Sequence, residues 1–190
     1  MDRLGASEAE EVVRFARNAI RDSAAHRLAA LDAHPFPIYT TDAEGRITYY
    51  NRACVNFAGR EPTTGVDRWC VSWKLFTTDG AELPHDQCPM ALAIRQERQM
   101  RGLEAIAERP DGSQVHFIPF PTPIHDRSGA LVGGVNLLLN AAYAGRAGEL
   151  RTQAERCRRL ARGIDDRQTR DRLCLMADDY EERANALMRN

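Results

Sequence analysis

The residues best suited to chemistry lie in one short stretch, Gly80-Ala81-Glu82-Leu83-Pro84-His85-Asp86-Gln87-Cys88-Pro89-Met90. A cysteine followed by proline is a pattern in which a thiolate ligates ferric haem while the proline turns the chain away from the iron. His85 lies three residues before it. Pro89 also suits the first turn of a helix, and a helix N-terminus depresses a thiol below its ordinary range, which favours the thiolate that binds metals and meets oxidants. A plainer reading stands beside it: Pro89 is an ordinary first-turn proline, Cys88 a small buried residue and Asp86 the cap that fixes the turn. Haem is the leading cofactor candidate, with Cys88 and His85 as its contacts. Zinc is the alternative, held by Cys70, His85 and Cys88 with Cys54 or His116 as a fourth ligand, although the spacing matches no known finger or ribbon. A nucleophilic thiol would need a base, and only folding could bring His85 or His116 to Cys88. No enzyme activity and no resident metal are therefore expected.

Three further residues join the cofactor-binding candidates. Phe57 and Trp73, like Trp69 and Phe76, are large apolar side chains in or beside a region of short helices, where they either fill the core or line a cavity. Asn136 interrupts an apolar strand in which Val135, Leu137 and Leu139 alternate with Asn136, Leu138 and Asn140. A buried amide needs partners, so Asn136 either fixes a ligand or satisfies nearby backbone.

These candidates are positioned by elements that hydrophobic periodicity marks out. Val13, Ala16, Ile20, Ala24, Leu28 and Leu31 recur at helical spacing between Ser7 and Ala33, with Ser7 and Glu10 placed as a capping box and His34-Pro35 as the stop. The stripe is narrow, as suits a seam with a second helix, and dimerisation through it is expected. Pro37–Thr41 and Arg46–Tyr50 read as strands around a turn closed by Gly45. Asn51 to Gly59 reads as a short helix, the stretch to Pro89 as irregular, and Met90–Arg95 as a second short helix. Met100–Glu108, Gln114–Pro121 and Ala130–Leu139 form an antiparallel meander. From Arg146 onward two helical stripes follow. Leu150, Ala154, Cys157, Ala161 and Ile164 form the first, Leu173, Met176, Tyr180, Ala184 and Leu187 the second. Gly163 is expected to supply a left-handed turn between them, and Asp165 or Asp166 the cap.

The middle section resembles a PAS domain. The features that carry the resemblance are Ile38-Tyr39-Thr40-Thr41-Asp42-Ala43-Glu44-Gly45-Arg46-Ile47, the helix opening Tyr50-Asn51-Arg52-Ala53, the turn Pro110-Asp111-Gly112-Ser113, and Asp126-Arg127-Ser128-Gly129-Ala130-Leu131-Val132-Gly133-Gly134-Val135. The resemblance implies an α+β fold: a five-stranded antiparallel sheet of order 2-1-5-4-3, short helices on one face, and a cavity between them that serves sensing or protein association. The flavin-binding branch carries a cysteine in an Asn-Cys-Arg-Phe-Leu-Gln stretch, which Trp69-Cys70-Val71-Ser72-Trp73 does not match, so flavin photochemistry is not expected. The organisation that follows is an N-terminal amphipathic helix over 1–33, a sensor domain over 34–141 and a C-terminal helical hairpin over 142–190.

Composition narrows the setting. Over 190 residues the net charge is −1, a balance that draws in neither nucleic acid nor an acidic membrane surface. Lys74 is the one lysine among 26 basic residues, a bias that points to a GC-rich bacterial genome. The N-terminus lacks the apolar core of a signal peptide, and the five cysteines are scattered and odd in number, so reduced thiols and a cytoplasmic setting are expected. The expected function is a PAS sensor or adaptor that binds a small ligand or cofactor and signals through its flanking helices to a protein partner or to its own dimer. The alternatives are a haem- or redox-responsive sensor using Cys88-Pro89, and a structural dimerisation module without a ligand.

Overall fold

The computed structural model describes residues 3–21 and 31–189. Its strands are β1 (Ile38–Asp42), β2 (Ile47–Tyr50), β3 (Lys74–Phe76), β4 (Ala105–Glu108), β5 (Gln114–Pro119), β6 (Thr122–His125) and β7 (Leu131–Asn140). Its helices are α1 (Arg3–Arg21), α2 (Arg52–Ala58), α3 (Pro89–Arg95), α4 (Ala141–Arg162) and α5 (Arg167–Arg189). Contacts divide the chain into two compact units, residues 7–141 and residues 142–190 together with 1–6.

In the first unit one antiparallel sheet runs β2-β1-β7-β5-β4-β3, with β6 paired to β7. The five strands read from sequence are β1, β2, β4, β5 and β7, and their order matches. Two strands are additional. β3 is a three-residue edge strand paired with β4 inside the stretch read as irregular. β6 continues the path of β5 beyond Phe120, because Pro119, Pro121 and Pro123 supply no N–H and break the ladder. The strand read over Met100–Glu108 begins only at Ala105.

Alternation along the strands sets the two faces. Tyr39, Ile47, Phe117 and Leu138 pack inward with Cys54 and Phe57 of α2, Met90 and Ile94 of α3, and Cys70 and Val71 of the intervening loop. Ile38, Val135, Leu137 and Leu139 point the other way and are buried too. The central strand is therefore apolar on both faces, which explains its near-continuous hydrophobic run.

Asn51 fastens the opening of this unit. It caps α2 by accepting from Cys54 N at 3.2 Å, and it accepts from Ile38 N at 3.0 Å. Its Nδ2 donates to the carbonyls of Leu31 (3.0 Å), His34 (3.2 Å) and Phe36 (2.8 Å). α2 then stops at Gly59, which adopts a left-handed conformation with φ 65°.

α1 departs from the sequence reading. It is already helical at Arg3, so Ser7 lies inside the helix, and Glu10 closes no capping box but binds Arg101 instead. Val13 and Ala16 are buried within the single chain, so this part of the stripe is not left open for a second copy. Ala24 and Leu28 lie outside the described residues.

In the second unit α4 and α5 form the expected hairpin. Ala154, Cys157 and Ala177 make its seam, flanked by Leu173 and Tyr180. Arg158 bridges to Asp178 at 3.3 Å and to Glu181, while Arg151 donates to Asn185 at 3.2 Å. Asp166 caps α5 by accepting from Thr169 N at 2.8 Å. Two details differ. Gly163 takes no left-handed conformation, and its N–H closes a tight turn on the Leu160 carbonyl at 3.0 Å. The α5 stripe runs through Leu173, Ala177, Tyr180 and Ala184, which leaves Met176 exposed on the flank.

Asn51→Ala is expected to lower unfolding free energy in urea by about 3 kcal/mol, since it strands several buried polar groups at roughly 1–3 kcal/mol each. Asn51→Asp keeps the acceptors but removes the donors, so it too should destabilise; a wild-type midpoint for either variant would deny Asn51 this role.

Candidate functional site

The space between the sheet and the short helices is organised around Tyr39. Asn136 lies directly opposite it in register on β7, and Asn136 Nδ2 donates to Tyr39 Oη at 3.0 Å. Tyr39 Oη in turn donates to the carbonyl of Trp69 at 2.8 Å. The other end of the Asn136 amide accepts from Phe120 N at 3.0 Å, where β5 gives way to β6. This relay, buried at Tyr39 and Asn136 and partly buried at Trp69, joins the sheet's central strand to the loop that precedes α3. Of the two roles open to Asn136, the structure displays the second: both ends of its amide are satisfied by the protein.

Trp69 has a φ of 70°, a left-handed value rare for a bulky residue and a mark of local strain. It is held there by its N–H to the Gly45 carbonyl at 2.8 Å and by packing of its indole on Gly45. A Cβ at Gly45 would stand 2.3 Å from the ring, so only glycine fits both the turn and this contact. The Arg68 and Arg95 guanidiniums lie 5.6 and 5.8 Å from the centre of its ring.

Three thiols surround the relay. Cys88 Sγ donates to the same Trp69 carbonyl at 3.8 Å, Cys70 Sγ lies 3.3 Å from Ser72 Oγ, and Cys54 Sγ donates to the Ile38 carbonyl at 3.2 Å. All three are buried. The depressed Cys88 thiol expected from its place before α3 is not found: burial pushes it up to about 12, with Cys70 adding to the rise, and the neighbouring Met90 and Ala91 backbone only partly offsets this. Burial raises Cys54 and Cys70 likewise, and lifts the Tyr39 phenol well above its ordinary value. Desolvation of the charged form outweighs the field of a seven-residue helix.

His85 sits in a single 3-10 turn, His85–Gln87, with its carbonyl accepting from Cys88 N at 3.2 Å. Its Nε2 is buried and has no hydrogen-bond partner. Burial lowers its affinity for a proton, and the nearby Arg60 lowers it further, so the imidazole is held neutral. Phe57 belongs to the same buried cluster as Cys88 and meets Phe117 edge-on at 5.3 Å between ring centres. Trp73 stands apart, 52% exposed. His116 lies on the exposed side of β5, opposite Val115 and Phe117, so strand alternation turns it away from the buried thiols. Among the described residues no three of His, Cys, Asp and Glu are gathered to hold a metal ion.

A second set of contacts, centred on Arg101, lies where β5 passes into β6. Its Nη1 donates to the carbonyls of Met100 (2.7 Å) and Pro121 (3.0 Å), and its Nη2 to Thr122 Oγ1 (2.9 Å). The same guanidinium pairs with both oxygens of Glu10 on α1 and lies 5.4 Å from the Phe120 ring centre. Sequence reasoning passed over Tyr39, Trp69 O and Arg101 as functional groups; the signal for Arg101 was the unsatisfied Pro-rich backbone of 119–123.

A family signature described as PAS fold matches residues 31–142. No curated protein matches the chain. Among solved structures, the PAS domain of the fruit-fly ELK potassium channel is 16% identical over 60% of this chain and 92% of that one, with a TM-score of 0.48. The LOV domain of an Erythrobacter litoralis blue-light activated histidine kinase is 19% identical over 56% and 96%, with a TM-score of 0.45. The RsLOV d2 variant is 15% identical over 100% and 99%, with a TM-score of 0.46.

Thiol alkylation of the native chain followed by peptide mass mapping should label the exposed Cys174 first and leave Cys54, Cys70 and Cys88 unmodified at pH 7–8 until denaturant is added. Rapid native labelling of Cys88 would contradict the buried, protonated thiol.

Proposed function

Because this chain belongs to the PAS fold family, we propose that it is a non-catalytic bacterial sensory module of the cytoplasm that responds to a small ligand or cofactor held between the sheet and helices α2 and α3. It signals through the flanking segments 1–33 and 142–190, to a protein partner or to a second copy of itself. Phe57, Cys88 and His85 are the side chains offered to the ligand, with Asn136 reached by displacing its Tyr39 or Phe120 partner and Trp73 at the outer margin. The observation that supports the reading is the Arg101 joint. It connects the β5–β6 break to Glu10 of α1, and the same break is fixed from inside by Asn136 through Phe120 N. A change at the Tyr39–Asn136 relay therefore has a physical route to the N-terminal helix. A ligand moves that route only through unequal affinity for its two states.

One observation favours a haem-responsive version: His85 Nε2, neutral, buried and without a partner, is a free donor for a metal-bearing group. In this version His85 leads and the protonated Cys88 does not, unless its surroundings rearrange.

Arg101→Ala should speed amide hydrogen exchange across α1 at least about tenfold, the loss expected on removing a charge-assisted pair, while β7 exchange stays unchanged. Unaltered exchange in α1 would end the proposal that this joint carries the signal. For the haem version, addition of haemin to purified protein should give a Soret band that His85→Ala removes; the absence of any such band eliminates it.

A further inference from the structure

On the face of the sheet opposite the thiols, the structure contains a cavity of about 290 Å³ whose polar lining is Thr40, Thr41, Asp42, Thr48, His125 and Asp126. Two irregularities in strand pairing flank it. The β1–β2 register shifts between Thr40 and Thr41, and the β6–β7 register shifts between Ile124 and His125. Each shift re-aims the side chains that follow it, and such bulges recur where a sheet makes room for a site. Gly133 lies between them with φ 151°, and a Cβ there would come 2.0 Å from the Thr41 carbonyl, so this part of the lining is bare backbone. Ile124 and Val132, the latter 48% exposed, supply an apolar wall.

The unused hydrogen-bonding capacity of this lining consists of acceptors and hydroxyls. Asp126 Oδ1 takes the three bonds of its turn, from Ser128 N, Ser128 Oγ and Ala130 N, and Oδ2 has no partner among the described residues. Thr41 follows Tyr39 by two positions on β1, so its side chain turns to the thiol face and it meets the cavity with its backbone. Thr40 and Thr48 share one bond between hydroxyls at 2.7 Å. The donors in and beside the lining are already engaged: Arg46 binds Asp42 at 2.9 Å and Glu44 at 3.2 Å, and His125 Nε2 meets Glu97 at 3.0 Å. A ligand that complements this set brings donors and positive charge at one end and a short apolar tail at the other. We propose that this cavity binds a small organic cation, an ammonium or guanidinium group bearing a short alkyl chain. The proposal does not rest on the sensory reading, since it concerns the other face of the sheet.

The test uses the full chain, isotopically labelled, with n-butylammonium and n-butylguanidinium as probes and butyrate as the control of opposite charge. Backbone amide shifts of Thr41, His125 and Gly133 should move saturably with either cation and not with butyrate. Asp126→Asn, which keeps the turn's acceptor but loses the charge, should weaken binding about tenfold. Val132→Arg, a change at an exposed position that puts a guanidinium into the cavity, should abolish it. The proposal is overturned if the lining amides do not move, if butyrate moves them equally, or if the Val132→Arg protein binds as the wild type does.

Discussion

The opening of the sheet unit is fastened by one buried carboxamide. Asn51 has two hydrogens and one oxygen to offer, and it spends them on five backbone groups drawn from three segments: the chain arriving at Leu31–Phe36, the start of β1 and the first turn of α2. One of its hydrogens is necessarily shared between two carbonyls. No other side chain of this size carries both acceptor and paired donors, so aspartate lacks the hydrogens and leucine lacks everything. Without this contact the polar backbone preceding Ile38 would be buried unsatisfied, and the short helices would lose their registration against β1.

The second constraint is electrostatic. The interior that the fold encloses is dry enough for three thiols and a phenol to remain neutral far beyond their ordinary ranges, as the rise of Cys88 to about 12 illustrates. A site of this kind does not generate a nucleophile. It holds polar groups in fixed tautomers and orientations, with Asn136, Tyr39 and the Trp69 carbonyl in series, and any intruding polar atom must either join that series or break it. An unmatched polar group placed there would bear the cost of its own desolvation.

Much of this architecture was legible before any coordinates. Alternation in Val135–Asn140, the Gly45 turn and the proline before Met90 located three elements, because those signals are local and strong, while the sheet order followed from the resemblance to the PAS family. What escaped was set by distant partners. β3 is three residues long and exists because β4 lies beside it. Glu10 looked like half of a capping box because its true partner, Arg101, is 91 residues away. Cys88 looked activated because sequence displays the helix behind it and not the burial around it. Asn136 was recognised as a polar intruder, but whether its amide faced a ligand or the protein depended on Tyr39 standing opposite, a matter of register. The cavity beyond Thr40 is flanked by two bulges, whose extra residues, Thr48 on β2 and Val132 on β7, are set by pairing with neighbouring strands and not by their own sequence.

The contact between Glu10 and Arg101 shows how such a sheet can influence a helix that precedes it in sequence. Hydrogen bonding to Arg101 is the main reason the Glu10 carboxyl lies below its ordinary range, with burial acting against it. A carboxylate depressed in this way stabilises the folded arrangement above the ordinary carboxylate range and withdraws that support as acid protonates it. At neutral pH the joint is therefore fully charged and insensitive to small pH changes. Its remaining freedom is geometric. Arg101 divides its donors between the Pro121 carbonyl, the Thr122 hydroxyl and Glu10, and Asn136 fixes the adjoining Phe120 N–H from the interior. A displacement of the β5–β6 break by the length of a fraction of a bond changes all of these partners together, whereas the central strand β7, hydrogen-bonded on both edges, resists it. The break that Arg101 and Asn136 fix from two sides is thus the part of the sheet that touches α1.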